Sequence, residues 1–354
     1  MTNLHSNFGK VKTIASITIG ILLAGSYSQE TRAWGGRGHD TICRTATFLV
    51  KDPTLKEYLT QKPQMMGHLC NVPDFYWKSL KGDDIALGNS SHFIDPEIFG
   101  LKVETIPANY SELLENYTGK PNQIKAGATV FSVPLEFGSS WWRVEQFMKR
   151  IEGRKAELEK ATPPANRAEE QSEELAFNKL VFQMIVDMGL MGHFVGDASQ
   201  PLHISANYDG WLNGHGGIHS YYEDAVVGQF DGDLEANVLK KARAMNKEKF
   251  LSAKNTIEKM RALSLLSERE LEKVYKLDPL TKPSTLTEGQ TKGLMIKTPA
   301  ERKPAKDGFK VYKDLISTQL ARSARLLAAL WDEAYESAGK PKVTAFKSYK
   351  YPFT

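Results

Sequence analysis

Cysteine is nearly absent from this 354-residue chain: Cys43 and Cys70 are the whole complement. Two thiols cannot build the common four-thiolate zinc site, so any bound metal must be held by histidine and carboxylate. Long apolar runs are lacking as well. After the first 33 residues no stretch approaches the roughly 20 uncharged residues of a spanning helix, which argues against a helical multi-span protein. Charge of one sign is also missing. The 46 basic residues face 42 acidic ones, a formal net charge of +4, so the composition announces no polyanion as partner. Histidine is scarce, eight in all, and for that reason its placement is informative.

What is present is an ordinary globular composition, 41% hydrophobic and 25% charged. A chain this long buries roughly 75% of the surface it exposes when unfolded, so its core needs no cross-link to exist. Length alone allows two domains or one. The N-terminus reads as a removable leader. Lys10 and Lys12 precede an apolar run from Ile14 to Gly25, and Thr31-Arg32-Ala33 offers small residues where a signal peptidase reads. The run is too short to span a bilayer, and no cysteine follows it to carry a lipid. Residues 1–33 are therefore expected to be a signal peptide cleaved after Ala33, giving a secreted or periplasmic protein; the alternative is a retained membrane anchor. Cleavage removes Lys10, Lys12, Arg32 and Glu30, which leaves 43 basic against 41 acidic residues and a net charge of +2. An oxidising compartment permits Cys43 and Cys70 to pair, but spacing does not decide it.

Most of the remaining chain has a helical period. Asp40 suits the cap of a helix through Val50, and Ser139 or Ser140 the cap of one from Trp141 to Ile151. A long pattern runs from Arg167 to Asp197 on Phe177, Leu180, Val181, Met184, Ile185 and Met188. Ile316, Leu320, Leu327, Leu330, Trp331 and Ala334 make a last core stripe that Gly339 closes. The expected class is all-α, with one functional domain over 34–340 and a solvated tail over 341–354. Pro279, Pro283, Pro299 and Pro304 mark 277–308 as a long surface loop or insertion.

The densest chemistry lies in His193-Phe-Val-Gly-Asp197-Ala-Ser-Gln-Pro-Leu-His203. His193 and Asp197, four apart at the end of an apolar helix, share a face and can converge on one ion, with Gly192 and Gly196 expected to keep that face open. His219-Ser-Tyr-Tyr-Glu223 repeats the step. A lone histidine, as His39 or His92 would be by itself, is ordinarily a satisfied core or surface residue. His68 and His215 match nothing further. Burying the paired set close together without a cation would cost several kcal/mol per group, so metal is the cheaper explanation.

Taken together these residues resemble the zinc-dependent phospholipases C and their relatives, the single-strand nucleases, over most of the chain from Trp34 to Trp331. In that superfamily signal cleavage exposes a Trp whose α-amino nitrogen and carbonyl bind zinc, and Trp34-Gly-Gly-Arg-Gly-His39 is similar to that terminus. A free α-amine has a pKa near 8, so binding a cation at neutral pH costs little. The resemblance implies three zinc ions. Trp34, His39 and Asp197 would hold one; Asp74, His92, His193 and the bridging Asp197 a second; His203, His219 and Glu223 a third. Asp83 and Asp84 are alternatives to Asp74. The implied reaction is phosphodiester hydrolysis, in which paired cations bring the pKa of water towards neutrality, Asp197 fixes their spacing, and Asp74 orients the nucleophile or accepts its proton.

Substrate is read from the flanking residues. Glu223, the Ser91-His92-Phe93-Ile94-Asp95-Pro96-Glu97 segment and Leu330-Trp331 resemble the phospholipases. The spacing of Trp34 to His39 resembles the nucleases, where Phe93 and Asp95 would stack on and hydrogen-bond a base. Arg37 stands where choline-preferring phospholipases carry an acid, and Trp77 where nucleases carry a phosphate-clamping Arg. Phe75, Tyr76 and Trp77 would fill the core or line a lipid entry. The expectation is an exported phospholipase C acting on glycerophospholipids at a membrane surface, with no obligate protein partner. The alternatives are a nuclease acting on single-stranded nucleic acid and a non-catalytic zinc-binding protein.

Overall fold

The computed structural model describes residues 34–289 and 295–343, which lie in one compact unit; the expected signal segment and all but three residues of the tail fall outside these ranges. The fold is mostly helical. At its centre is the helix Ala176–Ala198, with 17 of 23 residues buried, the mark of a helix packed on every side rather than on one face. Around it pack the first helix Gly35–Thr47, the helix Pro63–Phe75, the helix Ser140–Gly153 and the last helix, Ala305–Ser337. Trp331 on the last helix is fully buried and its indole donates to the Met188 carbonyl at 2.8 Å. No described helix is long and apolar enough to cross a membrane.

Close approach at the central helix depends on three glycines. A Cβ at Gly189 would strike Leu69, one at Gly192 the sulfurs of Cys43 and Cys70, and one at Gly196 the imidazole of His39. Gly192 thus makes room for a disulfide rather than for ligands, whereas Gly196 does serve the His39 side. Cys43 and Cys70 are paired, with Cα atoms 6.2 Å apart, tying the first helix to Pro63–Phe75. Closing a loop of 27 residues is worth about 3.5 kcal/mol in the chain-entropy account.

Several expected boundaries move. The first helix starts at Gly35, not at Asp40; Asp40 lies inside it and pairs with Arg44 at 2.9 Å. Ser139 precedes Ser140–Gly153 without a side-chain cap. The pattern from Arg167 breaks into a short helix, Arg167–Glu170, and the central helix. Buried Asn178 explains the break: its amide donates to the carbonyls of Glu169 at 2.7 Å and Ser172 at 2.9 Å, which stabilises the non-helical link.

The expected loop at 277–308 is largely structured. Leu280–Lys282 pairs with Glu301–Arg302, and Thr285–Glu288 pairs with Met295–Thr298, both antiparallel. Pro279 precedes the first strand, Pro283 and Pro299 lie between strands and Pro304 precedes the last helix, so none stands within a ladder, where proline has no N–H to donate. The ribbon is fastened by Arg302, whose guanidinium donates to both Asp278 oxygens at 2.8 and 3.0 Å and to the Gly216 carbonyl at 3.2 Å. His215 joins the same carboxylate at 2.8 Å.

Candidate metal centre

Six segments deliver polar side chains into the apolar interior. His39 comes from the first helix, Asp74 from the last turn of Pro63–Phe75, and His92 from the turn after the short helix Asp83–Asn89. His193 and Asp197 are one turn apart on the central helix. His203 follows in the 3₁₀ turn Pro201–Ile204, and His219 with Glu223 spans the junction between a single helical turn and a π-helical one, Tyr221–Val226. All eight are at most 5% exposed.

They form three groups able to hold metal ions: His39, His193 and Asp197; Asp74, His92 and His193; His203, His219 and Glu223. In the second, His92 Nδ1 lies 2.8 Å from His193 Nε2, and Asp74 Oδ1 is 3.8 and 3.7 Å from the two rings. Asp197 Oδ2 stands 3.3 Å from His92 and 3.5 Å from His193, while Asp197 Oδ1 is 3.4 Å from His39 Nε2. Four ligands at the usual zinc bond length of about 2.0–2.1 Å would be about 3.3 Å apart in a tetrahedron, so this donor set has the size of a zinc-type site. In the third group His219 Nε2 is 2.8 Å from Glu223 Oε2 and 3.1 Å from His203 Nε2. Asp197 links the first two groups through its two oxygens.

Backbone contacts fix the ring directions. Cys70 O lies 2.8 Å from His193 Nδ1, and His92 O lies 2.8 Å from His203 Nδ1, which turns each Nε2 towards its neighbours. The disulfide therefore bears on the site directly, through the carbonyl of Cys70. His39 and His193 stack with centroids 3.9 Å apart, a contact that disfavours a charge on either ring.

Both ring nitrogens of His39, both oxygens of Asp197, and Glu223 Oε1 are buried without a hydrogen-bond partner. Orphaned donors and acceptors are costly and rare in native interiors. A cation would satisfy them together. Burial lowers the pKa of every one of these histidines, to about 3 at His203 and about 4 at His219. They are thus neutral ligands at physiological pH. Burial raises Asp197, aided by Asp74, and raises Glu223 as well, so the cation-free centre resists carrying its own negative charge.

Trp34 is fully buried, with φ at +49°, a left-handed backbone that costs a non-glycine residue about 1–2 kcal/mol. Its indole donates to Gly196 O at 2.9 Å and holds it there. The Trp34 nitrogen is 3.1 Å from Glu223 Oε2, a ligand of the third group rather than the group expected for it. Asp84 is exposed, the side chain of Asp83 lies outside what is described, and Asp74 is a buried acid beside His92. Phe93 is half-buried next to His92, and Asp95 is 8% exposed with its carboxyl raised by burial and by Glu97; neither belongs to the three groups. Arg37 is engaged with the carbonyls of Val227, Gly228 and Asp231. In the aromatic cluster Trp77 stacks on Phe194 at 6.1 Å, while Phe75 is 38% exposed.

Sequence reasoning overlooked Lys78. Its ammonium lies 2.6 Å from Asp74 Oδ1, with the side chain only 10% exposed. A base four residues after an acid at a helix end was the available signal. Compared with known families and curated proteins, the chain matches no family model and no curated sequence.

Proposed function

We propose that this chain is an exported, three-zinc phosphodiesterase of the zinc-dependent phospholipase C and nuclease type, cleaving the phosphodiester of glycerophospholipids. The observation that supports it is the meeting of three buried histidine–carboxylate groups with one carboxylate, Asp197, facing two of them. Eight histidine and carboxylate side chains that the resemblance names stand in those groups, which supports the reading.

Divalent cations held by such residues would polarise a phosphoryl oxygen and supply a nucleophile at neutral pH. The chain's own part is to orient and to exclude water. Asp197 sets the distance between two ligand groups. Asp74, with Oδ1 at 3.7 and 3.8 Å from His193 and His92, would hold a ligand position and orient the nucleophile or accept its proton. Glu223, fixed by Gln200 at 3.0 Å, positions the third group. The α-amine of Trp34, if freed by cleavage after Ala33, would add a donor beside Glu223. Glu223 and the segment after His92 favour lipid, while half-buried Phe93 at the edge of the ligands favours the second reading, a single-strand nuclease.

The test is metal analysis of the protein beginning at Trp34, followed by equal zinc loading and a choice of phosphatidylcholine, phosphatidylethanolamine and single-stranded DNA. About three zinc ions per chain and lipid hydrolysis are expected. Hydrolysis of DNA alone would establish the second reading, and absence of zinc with folding retained after chelation would defeat both.

A further inference from the structure

Tyr208 and Leu212 on one loop, and Met295 and Ile296 on the strand Met295–Thr298, are all exposed, Leu212 at 68% and Ile296 at 53%. The two elements are joined. The Ser284 N–H donates to the Gly214 carbonyl at 2.8 Å, the Gly216 N–H donates to the Ser284 hydroxyl at 2.8 Å, and the Lys297 ammonium stands 5.0 Å from the centre of the Trp211 ring. The loop continues into the ligand cluster. Asp209 accepts from the Trp211 indole with Oδ2 at 2.7 Å and from the His219 N–H with Oδ1 at 3.1 Å, and the Tyr208 ring meets His219 edge to face at 5.5 Å. The apolar patch thus borders the third ligand group.

We infer that this patch is a docking surface for a phospholipid bilayer, seated where headgroups meet hydrocarbon; this deepens the phospholipid reading of the site and rests on it for the choice of occupant. Neighbouring residues of a strand point to opposite faces, so Met295, with Lys297 and Leu286, looks to the side of Trp211, and Ile296, with Thr287, to the other. Apolar side chains are exposed on both faces. A protein partner laid on one face of a two-stranded ribbon leaves the other in water, whereas a lipid surface surrounds both. Side chains with an apolar body and a polar edge, as Tyr208 and Trp211 are, settle at the membrane–water boundary. Charge complementarity agrees. An ammonium held over an indole, as at Lys297, can rest among lipid phosphates while its stem packs along apolar surface. Glu288 shares that face, so the attraction is modest and the apolar contacts dominate. Docking here brings lipid headgroups to the side of the cluster that carries His219.

The experiment measures co-sedimentation, on ice to keep turnover slow, of the protein beginning at Trp34 with vesicles of phosphatidylcholine and phosphatidylglycerol in equal parts. Wild-type protein should bind. Ile296→Asp and Leu212→Asp, changes at exposed positions on two separate elements, should each bind about tenfold or more weakly, the worth of burying one such side chain. Lys297→Gln should lose about fivefold, and Val311→Asp, the same kind of change at an exposed residue of the last helix, should lose nothing. Wild-type affinity in Ile296→Asp or Leu212→Asp overturns the assignment, as does an equal loss in Val311→Asp or a wild-type protein that ignores vesicles. A wild-type dimer that either patch variant turns into a monomer in sedimentation equilibrium would give the surface to a second copy of the chain and overturn it too. Binding is read without turnover, so vesicle binding by zinc-loaded protein that hydrolyses no phospholipid brings down the phospholipase reading and not the docking surface.

Discussion

His215 and His219 stand four residues apart, and each meets a buried carboxylate at 2.8 Å, yet the two contacts are opposite in kind. At His215 the partner, Asp278, is also gripped by both arms of Arg302, so charge and hydrogen bonds close within the chain. At His219 the partner, Glu223, accepts from the Gln200 amide and the Trp34 nitrogen, no guanidinium among the described residues reaches it, and one oxygen is left without a hydrogen bond. The lesson is that a histidine–carboxylate pair does not mark a functional site. Charge balance does. Where a guanidinium completes the pair, the residues fasten a ribbon to a loop; where none among the described residues does, they form a group that could hold a cation.

The contrast can be broken most severely at Asp197. Asp197→Asn should empty two ligand groups at once, lowering zinc content by up to two per chain and hydrolytic activity by on the order of 10³-fold, beyond the 10–100-fold typical of an outer partner. Elemental analysis and initial rates check both numbers, and a variant that kept full zinc would remove Asp197 from its linking role. Next comes the pair itself. His219→Ala should lose one zinc and about 100-fold in activity, whereas His215→Ala should keep zinc and activity while losing about 1–2 kcal/mol of stability in denaturant titration. Equal zinc loss in the two variants would erase the distinction. The smallest effect sharpens it. Asp197 and Glu223 have raised pKa values in the cation-free protein, so they favour the protonated form, and a cation binds the anionic one. Zinc uptake should therefore release protons, and apparent affinity should fall as pH falls. Calorimetry in two buffers of different ionisation enthalpy measures the count; a buffer-independent heat would contradict the sign.

Much of the ligand set was readable because its spacing is local. His193 with Asp197, and His219 with Glu223, announce themselves as four-residue steps. Asp74 had no such partner in the sequence; its role depends on a helix end brought beside His92 by the packing of Leu69 against Gly189. Lys78 escaped although it stands four residues after Asp74, because an acid–base step of four is the ordinary pattern of a solvated helix face. So did the ribbon, since four prolines look like a loop when the ladders between them are only two to four residues long. The early start of the first helix was hidden too, because it depends on a buried Trp34 and a glycine at φ +51° rather than on a capping side chain.

By itself, the sequence determined which segments become helices, since apolar period and breaker residues act within a few positions of the chain. It also limited any metal-ligand chemistry to histidine and carboxylate, since two cysteines are too few for a thiolate site. Which carboxylate would be neutralised from inside the protein, and which would be left wanting a cation, was decided by tertiary structure alone. Arg302 lies 24 residues from Asp278, and Trp34 lies 189 residues from Glu223. Electrostatic balance is a property of distances in space, and only the packing of the helices sets those.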